Sequence, residues 1–146
     1  MITTYASSEV LSAMCGKKQY ASLASRAFIG LSSTEPHADG TNVTEPAGNG
    51  YARKQIGYYS DTSSQYMGTP SGGVISNSQE IHFNEATGAW GTQRYACIYD
   101  AATGGHLIAW GELGEEVEGE WTPVPITPTA NTVVVIRPGN LRISLV

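Results

Sequence analysis

Charge is scarce in this sequence. Asp, Glu, Lys and Arg make up 14% of its 146 residues, where an average soluble domain carries about 25%. Such a surface relies on Ser, Thr, Asn and Gly, and it costs little to desolvate when another subunit packs on it. Positive charge is scarcer still: eight Lys and Arg against thirteen acids give a net charge of −5. Only Lys17-Lys18 and Arg53-Lys54 are adjacent. Nothing forms the basic stripe that a phosphate backbone requires, which argues against nucleic acid as a partner.

Cysteine is almost absent. Cys15 and Cys97 are the two in the chain, and no CxxC or Cys/His spacing points to zinc or redox work. Each lies in an apolar neighbourhood and reads as a small buried hydrophobe, with a disulfide between them left open. No segment approaches the ~18 apolar residues of a membrane helix, and no charged-then-apolar leader begins the chain. The expectation is a soluble protein made in a cytoplasm, with no membrane partner. Asn42-Val43-Thr44 matches a glycosylation acceptor, but without a secretion signal the match carries no weight.

What is present is a train of short strands. "SSEVLSAMCGKK" predicts one short helix over residues 7–16, capped by Ser7 or Ser8, with Val10, Leu11 and Met14 as its apolar stripe and Gly16 at its end. "SRAFIGLSS" and "YARKQIGYYS" read as strands on either side of a long loop, residues 34–50. Loops longer than ~12–15 residues usually have a job or are mobile. A turn at Gly72-Gly73 leads to short strands around Val74-Ile75 and Ile81–Phe83. "WGTQRYACIYD" and "HLIAWGEL" give two more. A proline-spaced extended segment follows, then Val133–Ile136, a Pro138-Gly139-Asn140 turn and a last strand, Leu141–Val146. Turn residues recur every 8–12 positions, which predicts a mainly β fold: an antiparallel, jelly-roll-like β-sandwich forming a single domain over residues 1–146.

Candidate chemistry is thin. Asp100, Thr103, Gly104, Gly105 and His106 crowd together in "YDAATGGHLIAW". A phosphate loop would need a helix after its glycines, whereas "HLIAWGEL" is strand-like. Asp100 can cap a turn and the glycines can take positive φ, so the stretch predicts a hairpin loop. His37, His82 and His106 have none of the spacings common in metal sites. There is no G-x-S-x-G elbow, and "GNGYAR" has Arg53 where a dinucleotide fingerprint needs its third glycine. Glu112, Glu115, Glu116, Glu118 and Glu120 lack the alternating Asp/Asn pattern of a calcium loop and read as a solvated acidic loop that guards a strand edge, with a weak cation site or a patch for a basic partner as the alternatives. Glu80, Glu85 and Asp100 are the only strand-flanking carboxylates that a depolymerase could use. Among the aromatics, Tyr58, Tyr59, Tyr66, Trp90, Tyr95, Tyr99, Trp110 and Trp121 read as core and subunit-contact residues, or as the lining of a sugar-binding groove. No catalytic residue, cofactor or metal site is predicted.

Two passages, "FIGLSSTEPHADGTNVTEPAGNGYARKQI" and "WGTQRYACIYDAATGGHLIAWGEL", resemble a family of small tailed-bacteriophage virion proteins of tail-fibre, minor-tail, baseplate or head-decoration type. Gly30, Leu31, Pro36, Asp39, Gly40, Glu45, Pro46, Gly50, Tyr51, Ala52 and Arg53 carry the first match. Trp90, Gly91, Ile98, Asp100, Ala101, Gly104, Gly105, Leu107, Trp110, Gly111 and Leu113 carry the second. The sequence departs from the family pattern at Arg94-Tyr95-Ala96-Cys97 and in its acidic, proline-rich stretch after Glu112. The resemblance implies a non-enzymatic virion structural protein without cofactors, placed at the tail tip, fibre or baseplate. The alternatives are capsid decoration or the neck. It implies contacts with other phage virion proteins. The low surface charge, with an N-terminal segment and a strand Leu141–Val146 that the sheet or a neighbouring subunit is expected to hold, favours a homo-oligomer, by analogy a trimer, and the Tyr and Trp residues make a host surface glycan a further candidate partner. The resemblance also singles out Arg53, Trp90, Asp100, Gly104, Gly105 and Trp110 as architectural. Arg53 leaves the long loop with five donors in a rigid fork, and is expected to tie residues 34–50 to the sheet through Asp39, Glu45 or Asp100.

Overall fold

The computed structural model describes residues 1–19 and 24–145. In chain order it runs α1 (Thr4–Met14), β1 (Arg26–Ser32), β2 (Lys54–Tyr58), β3 (Val74–Ser76), β4 (Ile81–His82), β5 (Tyr95–Tyr99), β6 (Leu107–Glu112), β7 (Gly114–Val117), β8 (Glu120–Pro123), β9 (Val135–Ile136) and β10 (Arg142–Ser144). Phe28, Ile29 and Leu31 of β1 are all buried. Neighbouring side chains in a strand point to opposite faces, so β1 needs cover on both. It stands inside an antiparallel sheet of order β2-β1-β5-β6. On one face, Ile29, Leu31, Ile56 and Ile98 meet Ile81, Phe83, Ala86, Trp90 and Leu141. Two ribbons, β3 with β10 and β4 with β9, add Ile143 and Ile136 to that core. On the other face Phe28, Cys97, Tyr99, Leu107 and Trp110 form a second cluster, with Val43 of the long loop packed against it. The fold is mainly β and antiparallel, with one short N-terminal helix. The sandwich takes the form of one four-stranded sheet faced by two-stranded ribbons.

The helix begins earlier than the Ser7 or Ser8 cap predicts. Ile2 bridges to Ala109 on the outer edge of β6, and the Thr3 N–H donates to the Ile108 carbonyl at 2.9 Å. Thr3 is buried. Its hydroxyl donates to the Leu107 carbonyl at 2.7 Å and accepts from the Ala6 N–H at 3.3 Å. The cap is therefore set by β6, and α1 spans Thr4–Met14 rather than residues 7–16. Gly16, at φ +71°, ends it. The stripe of Val10, Leu11 and Met14 finds no core: Ala6 is the helix's one buried residue, and Leu11 and Met14 are 60% and 66% exposed. Cys15 is likewise exposed just past the helix, Cys97 is buried, and both are free thiols. Only one of the two is the buried hydrophobe that the sequence suggests.

The acidic stretch is a strand pair, not a loop. β7 and β8 form a hairpin with Glu116 opposite Trp121 and Val117 opposite Glu120. Its turn is Glu118-Gly119, with φ +53° and +84°, the left-handed pair that a tight hairpin wants. At the chain's end, Leu141 is buried and Ile143 half-buried, but Leu145 is 66% exposed. The inward alternation therefore stops short of the predicted limit, and Val146 lies outside the described residues.

Candidate functional site

The long loop 34–50 has no helix or strand, yet it is tied at every step. The Thr34 hydroxyl donates to the Asn42 carbonyl at 2.7 Å, and the Asn42 amide donates to the Glu35 carbonyl at 2.8 Å. Asp39 accepts from the Thr41 N–H and hydroxyl. The loop leaves through Gly50, at φ +78°, where a Cβ would meet the Glu85 carbonyl at 2.8 Å. Tyr51 then turns inward against Phe83 and Trp90, with the Trp90 ring edge-on at 5.2 Å.

Three polar side chains meet under the second face of the sheet. The Tyr51 hydroxyl donates to Glu45 Oε1 at 2.7 Å and accepts from the Leu31 N–H at 3.0 Å. Arg53 grips the same carboxylate, Nε to Oε1 at 3.0 Å and Nη2 to Oε2 at 2.7 Å. Its Nη1 donates to the carbonyls of Ala101 and Gly104, at 2.9 and 2.8 Å. The guanidinium lies 3.3 Å from the centroid of the Tyr99 ring. Gly30 leaves room for this arrangement: a Cβ there would sit 2.8 Å from both Glu45 Oε1 and the Tyr51 hydroxyl.

The surroundings fix protonation firmly. Burial works against the Arg53 charge, but the bonds and charge of Glu45 outweigh it and lift its pKa above the ordinary value. Burial, then the hydrogen bond to Glu45, drives the Tyr51 phenol far above its ordinary value. Burial does the same to Tyr99, and pushes the Cys97 thiol up to about 12. None of these four groups exchanges a proton near neutrality, as an acid–base catalyst must. The solvent-open depression beside them, about 270 Å³, is lined by Glu45, Pro46, Ala52, Arg53 and Thr103 among others.

The loop after β5 supplies the two carbonyls. It joins β5 to β6 as a hairpin. Asp100 Oδ1 accepts from the His106 N–H at 2.7 Å, and Oδ2 lies 2.8 Å from His106 Nδ1. Gly104 and Gly105 both have positive φ, and a Cβ on Gly105 would strike Asp100 Oδ1. Tyr5 of α1 stacks on His106 with ring centroids 3.9 Å apart.

Of the sequence-predicted residues, Arg53, Gly104 and Gly105 come together here, with Asp100 on the same loop but serving His106. Glu45 is the acid that Arg53 meets; Asp39 and Asp100 bond within their own loops. Trp90 reaches the site through Tyr51 and donates its indole N–H to the Asn49 carbonyl at 2.8 Å. Trp110 stands apart, opposite Cys97 on β6. Glu80 pairs with His82 at 2.6 Å and Asp100 with His106. Among the described residues no three His, Cys, Asp or Glu side chains are grouped to hold a metal ion, and no helix is long and apolar enough to cross a membrane. Sequence reasoning overlooked Asn77. It is buried, accepts from the Leu141 N–H at 2.9 Å and donates to the Gln79 and Arg137 carbonyls at 2.8 and 2.9 Å. An Asn beside Ser looks like any turn residue, so the sequence carried no signal for it.

Against known proteins, the profile of the family described as "Podophage GP4 fiber I protein gp80" matches residues 1–134. No curated protein matches the chain.

Proposed function

The chain belongs to the podophage GP4 fiber I protein gp80 family, and from that premise we propose that it serves the phage fibre by assembly and not by catalysis. It is a structural fibre component of the virion and associates with other virion proteins. The finer reading is a symmetric homo-oligomer, a trimer, at the tail fibre, tip or baseplate, with residues 1–146 as one architectural unit. The observation that carries the non-enzymatic reading is the Arg53 cluster. The side chains of this cluster are spent on one another: Arg53 and Tyr51 satisfy Glu45, and Arg53 Nη1 satisfies two loop carbonyls. Arg53, Asp100, Gly104 and Gly105 are then architectural residues that join the long loop to the β5–β6 hairpin. Trp90 and Trp110 fill one core each. Self-assembly is supported by the low surface charge and by large apolar side chains left exposed, Leu11, Met14, Val117 and Trp121 among them.

Sedimentation of the purified protein tests the assembly. A species of three 15.5 kDa chains is expected, and a monomer at every concentration would reject self-assembly. Incubation with host polysaccharide and cell-wall polymer tests the chemistry, and any turnover would reject the non-enzymatic reading.

A host-glycan contact is a second reading. It is favoured by a shallow depression lined by Arg26, Tyr58, Tyr59 and Gln65, where Tyr59 is 86% exposed. Glycan-array binding that Tyr59→Ala abolishes is expected if it is right.

A further inference from the structure

We propose that the β7–β8 hairpin of one copy docks on the end of helix α1 of the next. The proposal rests on the reading that the protein self-assembles, and it names the surfaces and the symmetry that this assembly uses.

The hairpin is the least supported element of the fold. Every residue of β8 and three of the four in β7 are exposed. A two-stranded ribbon open on both sides is marginal in water unless something packs against it. Its exposed apolar side chains are Val117 at 47% and Trp121 at 55%. The indole is already placed: Gly114 has no Cβ, and one there would come within 2.8 Å of the ring, so the ring lies across the strand. Around it stand Glu115, Glu116, Glu118 and Glu120, and no Lys or Arg occurs between Arg94 and Arg137. What covers this face must be apolar and must bring positive charge.

The end of α1 has that chemistry. Leu11 and Met14, one helical turn apart, are exposed, and Lys17 and Lys18 follow directly. Met is adaptable and packs well against aromatic rings. Lys18 meets Glu9 at 2.7 Å in an exposed pair, which costs little to exchange for a partner's carboxylate. Within one chain α1 packs on β6, and Leu11, Met14, Val117 and Trp121 all remain open. A contact between two different patches of identical chains is head-to-tail. It closes into a ring when its rotation allows, in keeping with a trimer.

Charge reversal gives a test with a distinctive signature. One variant carries Lys17→Glu and Lys18→Glu; the other carries Glu115→Lys and Glu118→Lys. All four positions are exposed, and circular dichroism checks that each variant folds. Each alone is expected to sediment as a monomer, because like charges then face each other. Combined in a single chain, the four changes are expected to restore the wild-type oligomer, since every head-to-tail contact is again complementary whatever the number of copies in the ring. Trp121→Ala, with charge untouched, is expected to weaken association at least tenfold. If wild type is oligomeric while Trp121→Ala and both reversals assemble like it, the contact is elsewhere and this inference fails with self-assembly intact. Two monomeric reversals whose four-change combination folds but stays monomeric also overturn it. A monomeric wild type rejects self-assembly itself.

Discussion

Arg53 is the side chain on which most of the site depends. It joins residues 45, 101 and 104, which belong to two loops that no strand connects directly. Its side chain is 8% exposed and that of Glu45 24%, so water recovers little when the pair is broken. Arg53→Ala leaves the Glu45 carboxylate with the Tyr51 hydroxyl but no counter-charge, takes the Arg53 donor from two loop carbonyls, and should cost about 3 kcal/mol. In a domain of this size that is a fall of roughly 6–12 °C in melting temperature, readable by calorimetry. Arg53→Lys should recover only part of it, because an ammonium cannot fork across both oxygens and still reach the loop. A melting point unchanged in Arg53→Ala would remove the architectural role. The two cysteines differ in a way that chemistry can count. Cys15 is exposed and Cys97 is buried with its pKa pushed up to about 12. A thiol reagent should therefore modify one thiol per native chain and both after denaturation.

Among the elements, the hairpins separate what the sequence reveals from what it hides. The β5–β6 loop was legible because Asp100, Gly104 and Gly105 are turn residues in a turn-shaped gap between apolar runs. Gly105 carries the most local constraint, with φ +70° and Asp100 Oδ1 where a Cβ would go. Gly105→Ala should destabilise the fold by about 1–3 kcal/mol, and a denaturant midpoint equal to wild type would contradict that. The β7–β8 hairpin was hidden because five glutamates read as solvated loop, although Glu118-Gly119 holds the two positive φ angles of its turn. The start of α1 was hidden for a different reason. Thr3 caps the helix only because β6 holds it, and residue 107 is not a neighbour that local pattern can see. The Arg53 site lies between these cases. The arginine and its loop were legible, but the choice of Glu45 over Asp39 or Asp100 depends on how far each acid is from the folded guanidinium.

Two phenols and a thiol packed into the molecule are held in the protonated form, which sets its response to alkali. The phenols of Tyr51 and Tyr99 and the thiol of Cys97 all have pKa values raised by burial. In the unfolded chain they ionise near their ordinary values, 10.0 for tyrosine and 9.0 for cysteine. Above those values the folded state binds more protons than the unfolded one, so stability falls as pH rises. The stabilisation is complete below pH 9 and drains away above it. Melting temperature should show that alkaline limb, and Tyr51→Phe should flatten part of it.

The clasp between Thr3 and Leu107 also sets a timetable. The carbonyls that receive Thr3, whose hydroxyl caps the helix, belong to residues 107 and 108, so this segment is made about a hundred residues before its anchor. At roughly 5–20 residues per second, the hundred or so intervening residues take about 5–20 s to synthesise. For that interval Ile2, Thr3 and Ala6 have neither β6 nor a finished sheet beside them. Residues 2–6 therefore wait for the sixth strand, and they reach their places after most of the sheet has been made.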